Sequence, residues 1–289
     1  MENLRGAGLM TLAMLGFAFE DMLIKLMADA MATWQIILVL GTGGAAVFAS
    51  MTLLKRQPLF TRAYLSAPII VRNLGELIGT LGFVTAIALT PISQASAILQ
   101  ATPLAVTLGA ALFLDEPVGW RRWVAILVGF AGVMLVIRPG TEGFDIRSLF
   151  AVQGVLGLAI RDLATRKVPA ETSSFQLSFL AFLTLIPAAS ILSMFSDQAW
   201  VEPTPVLWGL FVGVVGLGVA AYYAIVAAMR IGEVSFVTPF RYSRMIFALA
   251  VGFAVFDERP DAMMLAGAVV IVGSGIYTIW RERKHRPAA

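Results

Sequence analysis

The chain has 289 residues, 59% of them hydrophobic and 13% charged, with a mean hydropathy of +0.85. Soluble domains of this size carry about 25% charged residues, so the polarity needed for a water-facing surface is missing and a lipid-facing exterior is expected. There is no cysteine, and the one histidine, His285, lies in the polar tail, which excludes disulfides, thiolate metal sites and a buried histidine base.

Apolar runs predict ten membrane spans, at 7–27, 34–54, 67–88, 92–114, 121–138, 147–165, 173–195, 205–229, 234–256 and 262–280. Each is long enough, or nearly so, to cross about 30 Å of hydrocarbon as a helix. The first run, Gly8 to Met27, carries Glu20, Asp21 and Lys25 and lacks a small-residue cleavage site, so it reads as a retained span and not a signal peptide. Short connections with turn chemistry follow, such as Lys55-Arg56-Gln57-Pro58, Arg138-Pro139-Gly140 and Glu202-Pro203-Thr204-Pro205. None is large enough for a soluble domain, which argues against a receptor or a tethered enzyme.

The basic residues sit in short clusters between spans, so a pI near 9.4 does not point to nucleic acid. With the N-terminus in the cytoplasm, 13 Lys and Arg residues fall in inside segments and 3 (Arg138, Arg147 and Arg259) in outside loops. That asymmetry places both termini in the cytoplasm of a protein of the cell inner (plasma) membrane and requires an even number of spans.

The two halves match weakly but in register. Leu15 to Asp21 aligns with Leu156 to Asp162 at an offset of 141, which also pairs Lys25 with Arg166, Trp34 with Phe175 and Gln35 with Gln176. At an offset of 142, Asp115-Glu116 aligns with Asp257-Glu258, Ser93 with Ser235 and Gln100 with Tyr242. The chain therefore divides into residues 1–140 and 141–289, the second ending in a short basic tail. Five spans per unit put the second copy upside down relative to the first. Such inverted repeats are common in secondary transporters, with the substrate site near the midplane between the copies.

The paired helix-end motifs Leu114-Asp115-Glu116-Pro117 and Phe256-Asp257-Glu258-Arg259-Pro260 are each followed by a Gly-rich helix, Gly129 to Val133 and Gly273-Ser274-Gly275. With Pro103 and Pro239 in the fourth and ninth spans, they make the chain resemble the drug/metabolite transporter superfamily in its EamA-type ten-helix branch. The resemblance covers nearly the whole chain. It implies an all-α integral membrane fold of two inverted five-helix repeats around a central cavity, and within the branch it leans toward YddG-like amino-acid exporters. Similar chains are associated with riboflavin or S-adenosylmethionine uptake and with drug efflux.

Nine charged residues interrupt the spans: Glu20, Asp21, Lys25, Arg72, Glu76, Arg161, Asp162, Arg241 and Arg244. Each costs about 2.5–3.5 kcal/mol at bilayer depth, so they should face the bundle interior, water or each other. Arg72 with Glu76, and Asp21 with Lys25, are one helical turn apart and can pair locally. Arg241, Arg244, Tyr242, Gln100, Arg72, Glu76, Asn73 and Glu20 are candidate contacts for a zwitterionic small molecule, because arginine forks bind carboxylates bidentately. Glu20, Asp21, Glu76 and Asp162 are candidates for proton coupling. The competing reading is a structural ion-pair network. Trp34, Phe83 and Gln94 are further possible neutral contacts. Asp115, Glu116, Asp257 and Glu258 read as boundary or gating residues.

Small-residue stripes at Gly75, Gly79 and Gly82, and at Gly209, Gly213 and Gly216, suit close helix packing within one chain or in a homodimer. There is no P-loop, no filter-like sequence for a channel, and no expected metal or cofactor. An intramembrane enzyme would need Asp21 and Asp162 to form an aspartyl dyad. The leading expectation is a secondary transporter exporting small metabolites by alternating access, with vitamin or cofactor import or multidrug export as alternatives.

Overall fold

A computed structural model describes residues 2–114, 119–169, 171–231 and 234–285. The Asp115-Glu116-Pro117 motif and the side chains of Ser235 and His285 lie outside the described residues. The described regular structure is helical throughout: α1 (Glu2–Ala28), α2 (Thr33–Leu54), α3 (Ala67–Leu89), α4 (Ile92–Leu99), α5 (Thr102–Phe113), α6 (Trp120–Ile137), α7 (Leu149–Thr165), α8 (Ser174–Met194), α9 (Pro205–Ile231), α10 (Val234–Val237), α11 (Ser243–Phe256) and α12 (Ala262–His285). They supply ten spans long and apolar enough to cross a membrane. Below, the terminal face carries the start of α1 and the end of α12, and the far face is its opposite.

Two spans are broken. Pro103 has no N–H for the carbonyl of Leu99, and the Thr102 hydroxyl donates to that oxygen instead, at 2.7 Å. The fourth span is therefore α4 and α5 with a turn at Gln100-Ala101, not one bent helix. The ninth span runs as α10, a 3₁₀ turn at Thr238–Tyr242 that contains Pro239, and α11.

The helices pair across the repeats. α1 packs along α9 and α3 along α7, which is one pairing seen twice with the repeats exchanged. α2 packs on α8 and α6 on α12, so each of these helices meets its own counterpart, and α4 of the fourth span packs on α11 of the ninth. Lipid tails are as apolar as leucine, so such pairs are held by van der Waals fit. At the α3–α7 seam a Cβ on Gly79 would lie 2.8 Å from the backbone nitrogen of Leu158, and one on Gly82 would lie 2.7 Å from that of Gly154. The two backbones touch, and the third-span stripe is an intramolecular seam. The eighth-span stripe behaves differently: Gly209 and Gly216 face open space, and only Gly213 meets a neighbour, Leu23.

Buried residues from both halves share one cluster, including Ile24, Ile36, Ile98 and Leu104 with Val155, Leu185, Met245 and Ile271. The halves interleave around this core and do not form separate bodies.

Candidate functional site

The intramembrane charges gather at three depths. On the far face, Asp257 takes a left-handed conformation (φ 51°) that ends α11, and the Glu258 N–H closes the turn on the Gly252 carbonyl. This aims the Glu258 carboxylate at the start of α4, where it accepts from the Ile92 N–H at 2.6 Å, the Ser93 N–H at 3.0 Å and the Ser93 hydroxyl at 2.6 Å. An anion there meets the unpaired N–H groups of a helix start. Lys25 lies 4.0 Å from Glu258 and donates to the carbonyls of Ile87 and Thr90. The local Asp21–Lys25 pair expected from spacing does not form; Lys25 serves this far-face latch.

At mid-depth, Arg244 of α11 grips Asp21 of α1 through Nη2 at 2.7 and 2.9 Å and Nε at 3.2 Å. Phe17 and Phe83 hold the guanidinium by ring contacts at 5.2 and 5.0 Å. Glu20, the next residue of α1, turns toward α9, where a Cβ on Gly218 would lie 2.6 Å from its Oε1. Glycine at 218 makes room for the carboxylate. Glu20 is 9% exposed and has no hydrogen bond or ion pair among the described residues, although the charges of Asp21 and Arg244 act on it. The Tyr242 hydroxyl points at Gly275, and like Gln100 Nε2 and Ser96 Oγ it is buried without a hydrogen-bond partner among the described residues.

Toward the terminal face, Glu76 of α3 sits between Arg72, 3.4 Å away on the same helix, and Arg161 of α7 at 3.3 Å. Arg161 also binds Asp162 at 2.8 Å. Arg72 donates to Asn73 Oδ1 and to the Leu177 carbonyl of α8, both at 3.0 Å. Arg241, in the 3₁₀ turn, feels the charges of Asp162, Arg161 and Arg244 but forms no hydrogen bond or ion pair among the described residues.

The structure thus joins Arg72, Asn73, Glu76, Arg161 and Asp162 in one network and Asp21 and Arg244 in another. Asp21 and Asp162 lie in separate ion pairs, so no aspartyl dyad forms. Three guanidiniums (Arg72, Arg161, Arg241) against two carboxylates (Glu76, Asp162) leave the terminal-side group with a formal excess of one positive charge. Arg244 against Glu20 and Asp21 leaves the mid-depth group with one negative charge in excess. Trp34 packs on Trp200, with ring centroids 5.8 Å apart, and Gln94 makes a long bond to the Val136 carbonyl at 3.5 Å. Reasoning from the sequence missed Ser93 as the receiver of Glu258 and Gly218 as the niche for Glu20. The repeat match at Ser93 was a signal for the first; the second has none, because it depends on which helix packs beside α1.

Comparisons with known proteins agree with this architecture. The chain is 26% identical over 215 residues to an S-adenosylmethionine uptake transporter of Rickettsia felis, covering 74% of this chain and 72% of that protein. It is 31% identical over 198 residues to a riboflavin transporter of Vibrio cholerae, covering 68% and 65%. Its identity to the pseudopaline exporter CntI of Pseudomonas aeruginosa is 26% over 271 residues, covering 92% and 93%. The profile of the EamA-like transporter family matches twice, over residues 4–138 and 146–280. Two successive matches that span nearly all ten helices leave one assignment: the chain belongs to the EamA-like transporter family.

Proposed function

We propose that this membrane transporter carries a zwitterionic solute of the amino-acid class across the inner membrane by alternating access. The observation that carries the reading is Arg241, a guanidinium inside a span that no carboxylate among the described residues engages. A substrate carboxylate would supply the missing charge through two parallel hydrogen bonds. Glu20, at mid-depth and without a hydrogen bond or ion pair among the described residues, suits the ammonium end of the same molecule or an exchanging proton. Tyr242 and Gln100 offer neutral contacts at the two helix breaks, where freed backbone polarity suits a site near the midplane.

In this reading both termini are cytoplasmic, as the distribution of Lys and Arg supports. The far face is then the outside, and the latch of Lys25, Glu258 and Ser93 shuts it. The moving bodies are the cross-repeat pairs α1–α9 and α3–α7, whose exchange of roles opens one face while closing the other. We favour export; the alternative is import, because two of the relatives above are named for S-adenosylmethionine uptake and for riboflavin. A homodimer remains part of the proposal.

The test is counterflow in proteoliposomes with radiolabelled amino acids, S-adenosylmethionine and riboflavin, with and without a pH gradient. Exchange of amino acids supports the reading. Exchange of riboflavin alone, or of lipophilic cations alone, overturns it. Inside-out and right-side-out vesicles then give the direction.

A further inference from the structure

Apart from the charged interior, the outer flank of α6 and α12 carries a groove of its own. These helices cross closely near the far face, where a Cβ on Gly132 would lie 2.9 Å from the Gly267 carbonyl and one on Gly267 2.7 Å from the Gly132 carbonyl. Along the pair, from Val269 and Val270 toward Trp120 and Tyr277 at the terminal face, runs the groove of about 480 Å³. Val124, Val128 and Val269 form its apolar sides, and Gly273 faces open space with no atom that its Cβ would meet within 4 Å. Its mouth is polar and aromatic: Trp120, Arg121 and Tyr277 line it, with the Arg121 guanidinium held 5.0 Å above the Trp120 ring.

The groove lies on the lipid-facing side, since Val269 is 71% exposed and Trp120 69% exposed. Trp120 opens the helix at the terminal face, so the mouth sits at the interfacial depth that tryptophan, tyrosine and arginine favour. Acyl chain fits apolar walls, and a cation at the mouth fits an anionic headgroup. We infer that this groove is a binding site for one anionic phospholipid of the terminal-face leaflet, its acyl chain along Val124, Val128 and Gly273 and its phosphate at Arg121. The site is separate from the transport path and independent of the substrate proposal.

Native mass spectrometry of the detergent-purified full chain, mixed with equal amounts of phosphatidylglycerol and phosphatidylcholine of matched acyl chains, tests it. Phosphatidylglycerol adducts should exceed phosphatidylcholine adducts about fivefold, the worth of one basic side chain at an anionic surface. Arg121→Gln should erase that preference, and Gly273→Phe, which grows into open space, should remove both kinds of adduct. Equal retention of the two lipids by the unaltered chain, or an unchanged preference in Arg121→Gln, overturns the site. A dimer that Gly273→Phe dissociates also overturns it, because the occupant would then be a second copy.

Discussion

Gln35 and Gln176, equivalent positions of the two repeats, make one contact on opposite faces of the protein. Gln35 on α2 donates to the Val201 carbonyl at 2.5 Å and accepts from the Val201 N–H at 3.2 Å, in the loop after α8. Gln176 on α8 donates to the Pro58 carbonyl at 2.8 Å, in the loop after α2. Each repeat thus fastens the loop of the other, and both amides are buried. Gln35→Ala and Gln176→Ala should each lower stability by about 0.5–1.5 kcal/mol, the net worth of a hydrogen bond whose loop partner, Val201 or Pro58, is an exposed residue. Thermal unfolding in detergent checks this. A loss confined to one of the two variants would contradict their equivalence.

The Asp21–Arg244 pair predicts a non-additive result. Arg244→Met alone strands a buried carboxylate, and Asp21→Leu alone strands a guanidinium, so each should cost about 3–5 kcal/mol. The double variant should recover most of that loss, and a double-mutant cycle on melting curves measures the coupling. Strict additivity would show that the pair does not act as a unit.

Arg241 has no such partner to strand among the described residues, so its replacement should spare stability and strike transport. Arg241→Ala is expected to raise the KM for a carboxylate-bearing substrate roughly 10–100-fold, the worth of a charge-assisted bond, with less than a twofold change for the methyl ester. The measurement is counterflow with acid and ester side by side. Equal losses for both would remove Arg241 from carboxylate binding.

Glu258→Gln tests the far-face latch. It removes the charge that faces the α4 start and Lys25 while keeping the side chain's size. The chain has no cysteine, so a single Cys introduced at Gln94, beside the latch, reports access without background. Its labelling by a membrane-impermeant maleimide should speed up about tenfold in Glu258→Gln, as a bond worth roughly 1.4 kcal/mol is weakened. An unchanged rate would mean that Glu258 only ends α11.

Asp261 gives a pH prediction. It caps α12 by accepting from the Met264 N–H at 2.8 Å, and it also binds Arg138 at the end of α6. The hydrogen bond from Arg138, followed by that from Met264, holds the Asp261 carboxyl below the usual carboxylate range. A carboxyl with a depressed folded-state pKa stabilises above its unfolded value and loses that contribution as pH falls through the folded value. Asp261→Ala should therefore cost about 1 kcal/mol, the typical worth of such a cap, at pH 7 and less below pH 3. Melting curves at the two pH values decide it.

Much of this architecture was legible in the sequence because bilayer thickness fixes span length and because paired halves leave offset matches. Arg72–Glu76 could be read from helical spacing alone. Lys25 could not: its spacing pointed to Asp21, but Arg244 is the better partner there, with a fork that closes on both carboxylate oxygens, and Lys25 reaches Glu258 across the far face. The helix breaks were only half legible. Pro103 announced a missing donor, but that the Thr102 hydroxyl replaces it depends on a rotamer. The niche for Glu20 needs Gly218, nearly 200 residues away, and no local pattern reports which helix will settle beside α1.

The cross-repeat pairing also governs how the chain is made. Asp21 enters the bilayer early, whereas Arg244 is 223 residues further along. At roughly 5–20 residues per second, synthesis leaves α1 without α9 and α11 for on the order of 10–45 s. During that interval two adjacent carboxylates must be tolerated in a nascent helix whose partners do not yet exist. Retention of α1 by the insertion machinery until the second repeat emerges, or late re-insertion of α1, meets that demand. Truncated nascent chains ending before and after Arg244 would separate the two routes.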